Sequence, residues 1–137
     1  MATAWHFSCW VRIFLGLPDL ALTHERRAMR LNPLDPLMGP MQLAAALGEL
    51  SAGRFLEASS WAQKATRTVP NWPLGLAIAA ASSALAGHLD EAHSAVSHLR
   101  GLIPALRLSS ITSNLPFRRP EDRARYEEGL RKAGVLE

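Results

Sequence analysis

The segments Gly53-Arg54-Phe55-Leu56-Glu57-Ala58 and Gly87-His88-Leu89-Asp90-Glu91-Ala92 stand 34 residues apart and carry a glycine and an alanine at matching places. Pro70 and Pro104 follow them at the same offset of 34. An upstream copy uses Gly16, Ala21, Ala28 and Pro33 in the same internal order. A 34-residue period carried by small residues and a closing proline marks stacked helix–turn–helix units. Such units build surfaces rather than catalytic pockets. The first expectation is therefore binding.

Working outward, three units emerge, at about 2–33, 38–71 and 73–104. In the first, Trp5, Cys9, Ile13 and Phe14 recur at helical spacing. Gly16-Leu17-Pro18-Asp19 breaks that helix, and a second runs until Asn32-Pro33, because a proline cannot continue a helix. Leu34-Asp35-Pro36 is a small insertion. The second unit pairs Met38–Ser51 with Phe55–Thr68 around Ala52-Gly53-Arg54, where the glycine is free to take a left-handed conformation. The third pairs Pro73–Ala86 with a helix opened by His88-Leu89-Asp90-Glu91. Pro73–Ala86 is apolar or small all round, which predicts burial on more than one side.

The remainder reads differently. Residues 105–118 form a connector, with one helical turn expected at Ala105–Leu108 and an irregular path over Ser109–Asn114. Pro120-Glu121-Asp122 sets a helix start, with proline first and acids at the positive end of the dipole. Tyr126, Leu130 and Ala133 share one face of a helix over 120–133, and Gly134 ends it. End units of solenoids need such a cap. The expected fold is all-α, an α-α superhelix of about three hairpins closed by a C-terminal capping helix. Two antiparallel helices approach closely only where side chains are small. Ala46, Ala80, Ala21, Ala58 and Ala92 serve as those contact points, with Ala65 in the same packing set.

Composition narrows the function classes. Nearly half of the 137 residues are apolar, which suits one packed helical domain. A single cysteine, Cys9, forbids an internal disulfide and fits a reducing, cytoplasmic setting. The apolar opening lacks a basic start and is interrupted by Arg12, so it does not read as a signal peptide. Ala77–Ala86 is too short to span a bilayer. The formal net charge is +3. Arginines gather at Arg26, Arg27 and Arg30, and again at Arg118, Arg119, Arg123, Arg125 and Arg131 with Lys132. Acids are interleaved with them, so they read as a solvated helix face rather than a nucleic-acid site.

The runs Gly53–Ala58, Lys64-Ala65 and Pro70-Asn71 resemble the second half of a tetratricopeptide repeat, and Gly87–Ala92 with Pro104 resembles the next. Gly16, Ala21, Ala28 and Pro33 resemble the one before. The pattern departs from the family where its first-helix tryptophan is Trp5, then Gln42 and Leu76. It departs again where the second-helix aromatic is Glu25, Ala62 and Val96, and where Leu99 replaces an alanine. A narrower resemblance joins Ala28–Pro36 and the ending Leu115-Pro116-Phe117-Arg118…Gly129–Gly134 to the tetratricopeptide region of bacterial class III adenylate/guanylate cyclases. Some winged-helix transcriptional regulators carry a related tail. The resemblance implies a regulatory or interaction segment, with neither the cyclase nor the DNA-binding domain.

In this family the first helices line a concave face. By register that face collects His6, Trp10, Phe14, Leu43, Leu47, Leu50, Leu74 and Ala77, together with Ala81 and Ala84. It is apolar and uncharged, and three occupants fit it: a partner's amphipathic helix, this chain's own C-terminal helix, or a second copy. Trp10 and Phe14 are either partner anchors or ordinary core. The expected function is protein–protein interaction, with the arginine-rich tail steering acidic partners. Self-association within a larger cyclase or transcriptional regulator is the alternative. Exchange of Leu47 for arginine is expected to abolish capture while leaving helicity intact.

Catalysis finds no constellation. His6 and Cys9 lie on one helix face without a second ligand pair. His88, His93 and His98 step by five residues and spread around a helix. Asp90-Glu91 and Glu127-Glu128 are adjacent, so their side chains point apart. No phosphate loop or activated nucleophile is present in the pattern. The sequence therefore predicts no enzyme activity, metal or cofactor.

Overall fold

Helix ends in the second and third units are written by matching residues, and the backbone follows them. The computed structural model describes residues 18–31, 38–112, 115, 117 and 119–136. Among these, every regular element is a helix: α1 Pro18–Leu31, α2 Met38–Ser51, α3 Phe55–Thr68, α4 Pro73–Leu85, α5 Leu89–Leu102, α6 Leu108–Thr112 and α7 Pro120–Lys132. Each of the first four packs on its successor, which makes an α-α superhelical arrangement. The first helix of the first unit lies outside the described residues, as do Gly16 and Pro33. Ala21 and Ala28 fall within α1.

Two turns show the repeat in detail. Gly53 and Gly87 take φ of +84° and +87°. The amide of Arg54 donates to Glu49 O at 2.9 Å, and that of His88 to Ser83 O at 2.8 Å. Gly53 N and Gly87 N donate to Leu50 O and Ala84 O, both at 3.1 Å. This pair of bonds satisfies carbonyls that the helix leaves open, and it needs a residue without Cβ strain at positive φ. The second helices also end alike, with Val69 N on Ala65 O and Ile103 N on Leu99 O at 2.8 Å. Pro70 and Pro104 follow these ends and are exposed, so they stop helices rather than pack them.

Packing depends on the small residues. Ala46, Ala58, Ala65, Ala80 and Ala92 are wholly buried. Ten consecutive residues of α4, Gly75 to Ala84, are buried, because α2, α3, α5 and α7 all pack against it. The predicted burial on several sides is thus observed. One charged link ties α1 to the first hairpin. Arg54 Nε donates to the buried Glu49 carboxylate at 3.0 Å, and its Nη2 reaches Asp19 at the start of α1 at 2.9 Å. Hydrogen bonds to Glu49 and then Asp19 push the guanidinium pKa further up.

The connector corrects the sequence reading. Its helix covers Leu108–Thr112, where an irregular path was expected from the serines. Leu108 and Thr112 are buried and Ile111 packs on the core. Thr112 Oγ1 donates to Leu108 O at 2.9 Å. Burial of these side chains outweighs the loop propensity of Ser109 and Ser110. The helical turn expected at Ala105–Leu108 is not formed: residues 105–107 lie outside any helix, α6 starts only at Leu108, and α4 and α7 each end one residue early, at Leu85 and Lys132.

Ala58→Leu should lower the melting temperature by several degrees, since overpacking costs about 1–3 kcal/mol. Thermal denaturation followed by circular dichroism checks this. Leu56→Ala, at an exposed position of the same helix, should leave the transition in place.

Candidate interaction surface

A further hairpin would place its first helix more against α5 than against α4, as α4 packs more on α3 than on α2 of the preceding hairpin. Instead α7 packs chiefly on α4 and touches α2, so it lies on the first helices of the two hairpins. Of the three occupants open from the sequence, the chain's own helix sits on this face. The segment after α7 then returns to the second hairpin and α6. Arg100 Nη2 donates to Gly134 O, and Leu108 N to Leu136 O, both at 2.7 Å.

Four residues of α7 make the fit. Tyr126 and Leu130 are fully buried. Gly129 faces Ala81 so closely that a Cβ there would stand 2.7 Å from Ala81 O and 2.9 Å from its Cα. That is backbone, which cannot rotate aside. Arg125 Nη1 donates to Leu50 O and Ser51 O at the C-terminal end of α2. Those carbonyls have no partner within their helix and form the negative end of its dipole, so a cation is favoured there. Phe117 lies 6.0 Å from the Tyr126 ring. Arg123 holds the connector by donating to Thr112 O at 2.9 Å and Leu115 O at 2.6 Å.

The same interface contains polar misfits. Tyr126 Oη, Asp122 Oδ2 and, on α4, Ser82 Oγ are buried without a hydrogen-bond partner among the described residues. Each such group costs roughly 1–3 kcal/mol. Burial pushes the Tyr126 phenol pKa up. Burial also raises the Asp122 carboxyl; Arg119 and Arg125 pull it back in part, and Glu121 adds to the rise.

The residues expected to form an open apolar face are placed otherwise. Leu43, Leu47, Leu50 and Ala77 are at most 2% exposed and belong to the core. Leu74 is half-buried. His6, Trp10 and Phe14, with Cys9, lie outside the described residues. Leu47→Arg would therefore break the interior rather than probe a surface, because α4 is slim enough for its neighbours to enclose these leucines. Gly129 and Arg125 were missed as fitting residues. Their only signal was a glycine in mid-helix between Tyr126 and Leu130.

The arginine run is largely engaged. Arg123 and Arg125 serve backbone carbonyls, Arg119 pairs with Glu121 at 3.2 Å, and Arg131 and Lys132 pair with Glu127 and Glu128 at 3.7 and 3.4 Å. Arg118 is outside the described residues. Arg26, Arg27 and Arg30 are exposed on α1. A separate groove of about 380 Å3 runs over α4 between α3 and α5. Several of its polar groups have protein partners: Gln63 donates to Glu91 at 2.8 Å, and His98 lies 3.0 Å from Asn71. His88, His93 and His98 are exposed. No group of three or more histidine, cysteine or acidic residues gathers among the described residues.

No protein-family model matches the chain, and no curated protein shows significant similarity to it. No helix among the described residues is long and apolar enough to cross a membrane.

Gly129→Ala should loosen α7 by about 1–3 kcal/mol, as overpacking against a rigid wall does. Hydrogen exchange should quicken in α7 and not in α3. Asp122 gives a pH test. Its folded pKa is raised, so the folded state binds the proton more readily, and stability falls as pH rises through the folded value. The melting temperature of the native chain relative to Asp122→Asn should therefore climb on acidification through the carboxylate range. A constant difference would contradict the buried, unpaired carboxyl.

Proposed function

We propose that the chain is a protein-interaction module, a scaffold or regulator, that receives a partner's helix or peptide on the face of its first helices. The observation that carries this reading is α7. It packs on that face through side-chain fit and through Arg125 at the end of α2, which supports the reading. Helix-in-groove recognition uses the same physics: an apolar stripe in a groove, with polar ends fixing register. The backbone repeat at 34 residues supports kinship with tetratricopeptide arrays, whose stacked units present extended binding surfaces. The engagement of Gln63 with Glu91 and of His98 with Asn71 at the outer groove favours interaction over catalysis. The likeness of the segments around Ala28–Pro36 and Gly129–Gly134 to cyclase and regulator tails supports a signalling role in the cytoplasm.

Self-association is the competing reading, and light scattering over a concentration series separates it: a constant monomer mass removes it. Site-specific photocrosslinking tests the main reading in cells that naturally express the chain. A photoreactive residue at half-buried Leu74, on α4, should give a discrete adduct with another protein. The same residue at exposed Leu56, on α3, should not. Adducts from neither position, with a monomeric chain, would end the interaction reading. An adduct from Leu56 alone would keep it and move the surface to the second helices.

A further inference from the structure

Resting on that interaction reading, we infer that α7 is an exchangeable occupant, and that it gives way to a partner helix carrying Arg-aromatic-x-x-Gly-Leu without a buried acid. The wall dictates each element. The carbonyls of Leu50 and Ser51 ask for a long cation, which Arg125 supplies. The backbone of Ala81 admits only glycine opposite it, four residues after that arginine. The buried seats of Tyr126 and Leu130 ask for an aromatic residue and a leucine.

Exchange is argued from what α7 does badly. Two of its own polar groups, Tyr126 Oη and Asp122 Oδ2, enter the seat without partners. A helix with phenylalanine and a neutral residue at those two places keeps the seats of Arg125, Gly129 and Leu130 and removes both penalties, giving up only the partial attraction of Arg119 and Arg125 for Asp122. Against it stand the tether, which gives α7 an effective concentration on the order of millimolar, and the bonds that anchor α7 and its flanks: Arg123 to Thr112 O and Leu115 O, Arg100 to Gly134 O and Leu108 N to Leu136 O. Removing α7 also leaves the hairpin turns intact, since the bonds that close them lie within residues 48–54 and 82–88. The native helix is thus a placeholder of the right shape and the wrong polarity.

The test uses the full chain with Gly129→Leu, which unseats its own α7, and labelled peptides copying residues 119–136. By fluorescence anisotropy this chain should bind the copied peptide. A peptide with Tyr126→Phe and Asp122→Asn should bind roughly tenfold tighter. Peptides with Gly129→Leu or Arg125→Ala should bind at least about tenfold more weakly than the copy. A helical Gly129→Leu chain that binds no peptide, or binds the Gly129→Leu peptide as well as the copy, overturns the inference. Should that chain fail to fold, hydrogen exchange on the unaltered chain decides: the amides of Tyr126–Leu130 should exchange at least about tenfold faster than those of α4. Equal protection overturns exchange. An unaltered dimer that Gly129→Leu abolishes would assign the face to a second copy's α7 and overturn the foreign helix. If α7 never exchanges while Leu74 or Leu56 still crosslinks a partner, this inference fails and the interaction reading stands.

Discussion

Between Ala79 and Ala84 nothing larger than a serine projects from α4, and four helices close on the helix that carries this slim stretch. Alanine, serine and glycine fill most of its length, so neighbours meet backbone there rather than long side chains. Leu76 and Ile78 are the large core side chains of α4 itself, and the rest come from outside: Leu43, Leu47 and Leu50 from α2, Val96 and Leu99 from α5, and Tyr126 and Leu130 from α7. Interiors are close-packed, and a bulky substitution on a slim central helix must displace a whole neighbour. The order of the hairpins and the seat of α7 both follow from this central helix.

The division between what the sequence showed and what it did not follows the range of the forces. Gly53, Gly87 and the segments around them act locally, through backbone conformation and bonds spanning five residues. Their reading placed α2, α3 and the turns with their observed limits. Serine content misled at Leu108–Thr112, where distant packing won. The face assigned to Leu43, Leu47 and Leu50 was correct as to helix and wrong as to exposure. Register identifies which helix carries a residue, but enclosure depends on how near other helices come. Gly129 carried the missing information, since a glycine costs helix stability unless something stands where its side chain would be. One glycine in one sequence does not say what that something is.

Charge follows the same logic. The arginine run near the C-terminus suggests a cationic surface when read as composition. In the fold, Arg123 donates to the Thr112 and Leu115 carbonyls of the connector and Arg125 to the Leu50 and Ser51 carbonyls at the end of α2, and their neighbours pair along α7. A guanidinium suits this task because its planar donors reach two carbonyl groups at once. The net charge thus overstates the free positive surface near α7, and under the proposed function recognition there would rest on fit rather than on long-range attraction.

A seat that is well shaped and poorly matched in polarity has a definite consequence. Shape excludes most helices, because the backbone at Ala81 rejects any residue but glycine. Polarity then sets how firmly an accepted helix stays. For α7 the two act in opposite directions: Gly129, Arg125 and Leu130 hold it, while Asp122 and the Tyr126 hydroxyl weaken the hold. A buried group without a partner costs more than a hydrogen bond ordinarily returns. One such residue can therefore offset a favourable contact elsewhere along the helix. Specificity and release are in this way assigned to different residues of one short helix, and changing one need not alter the other.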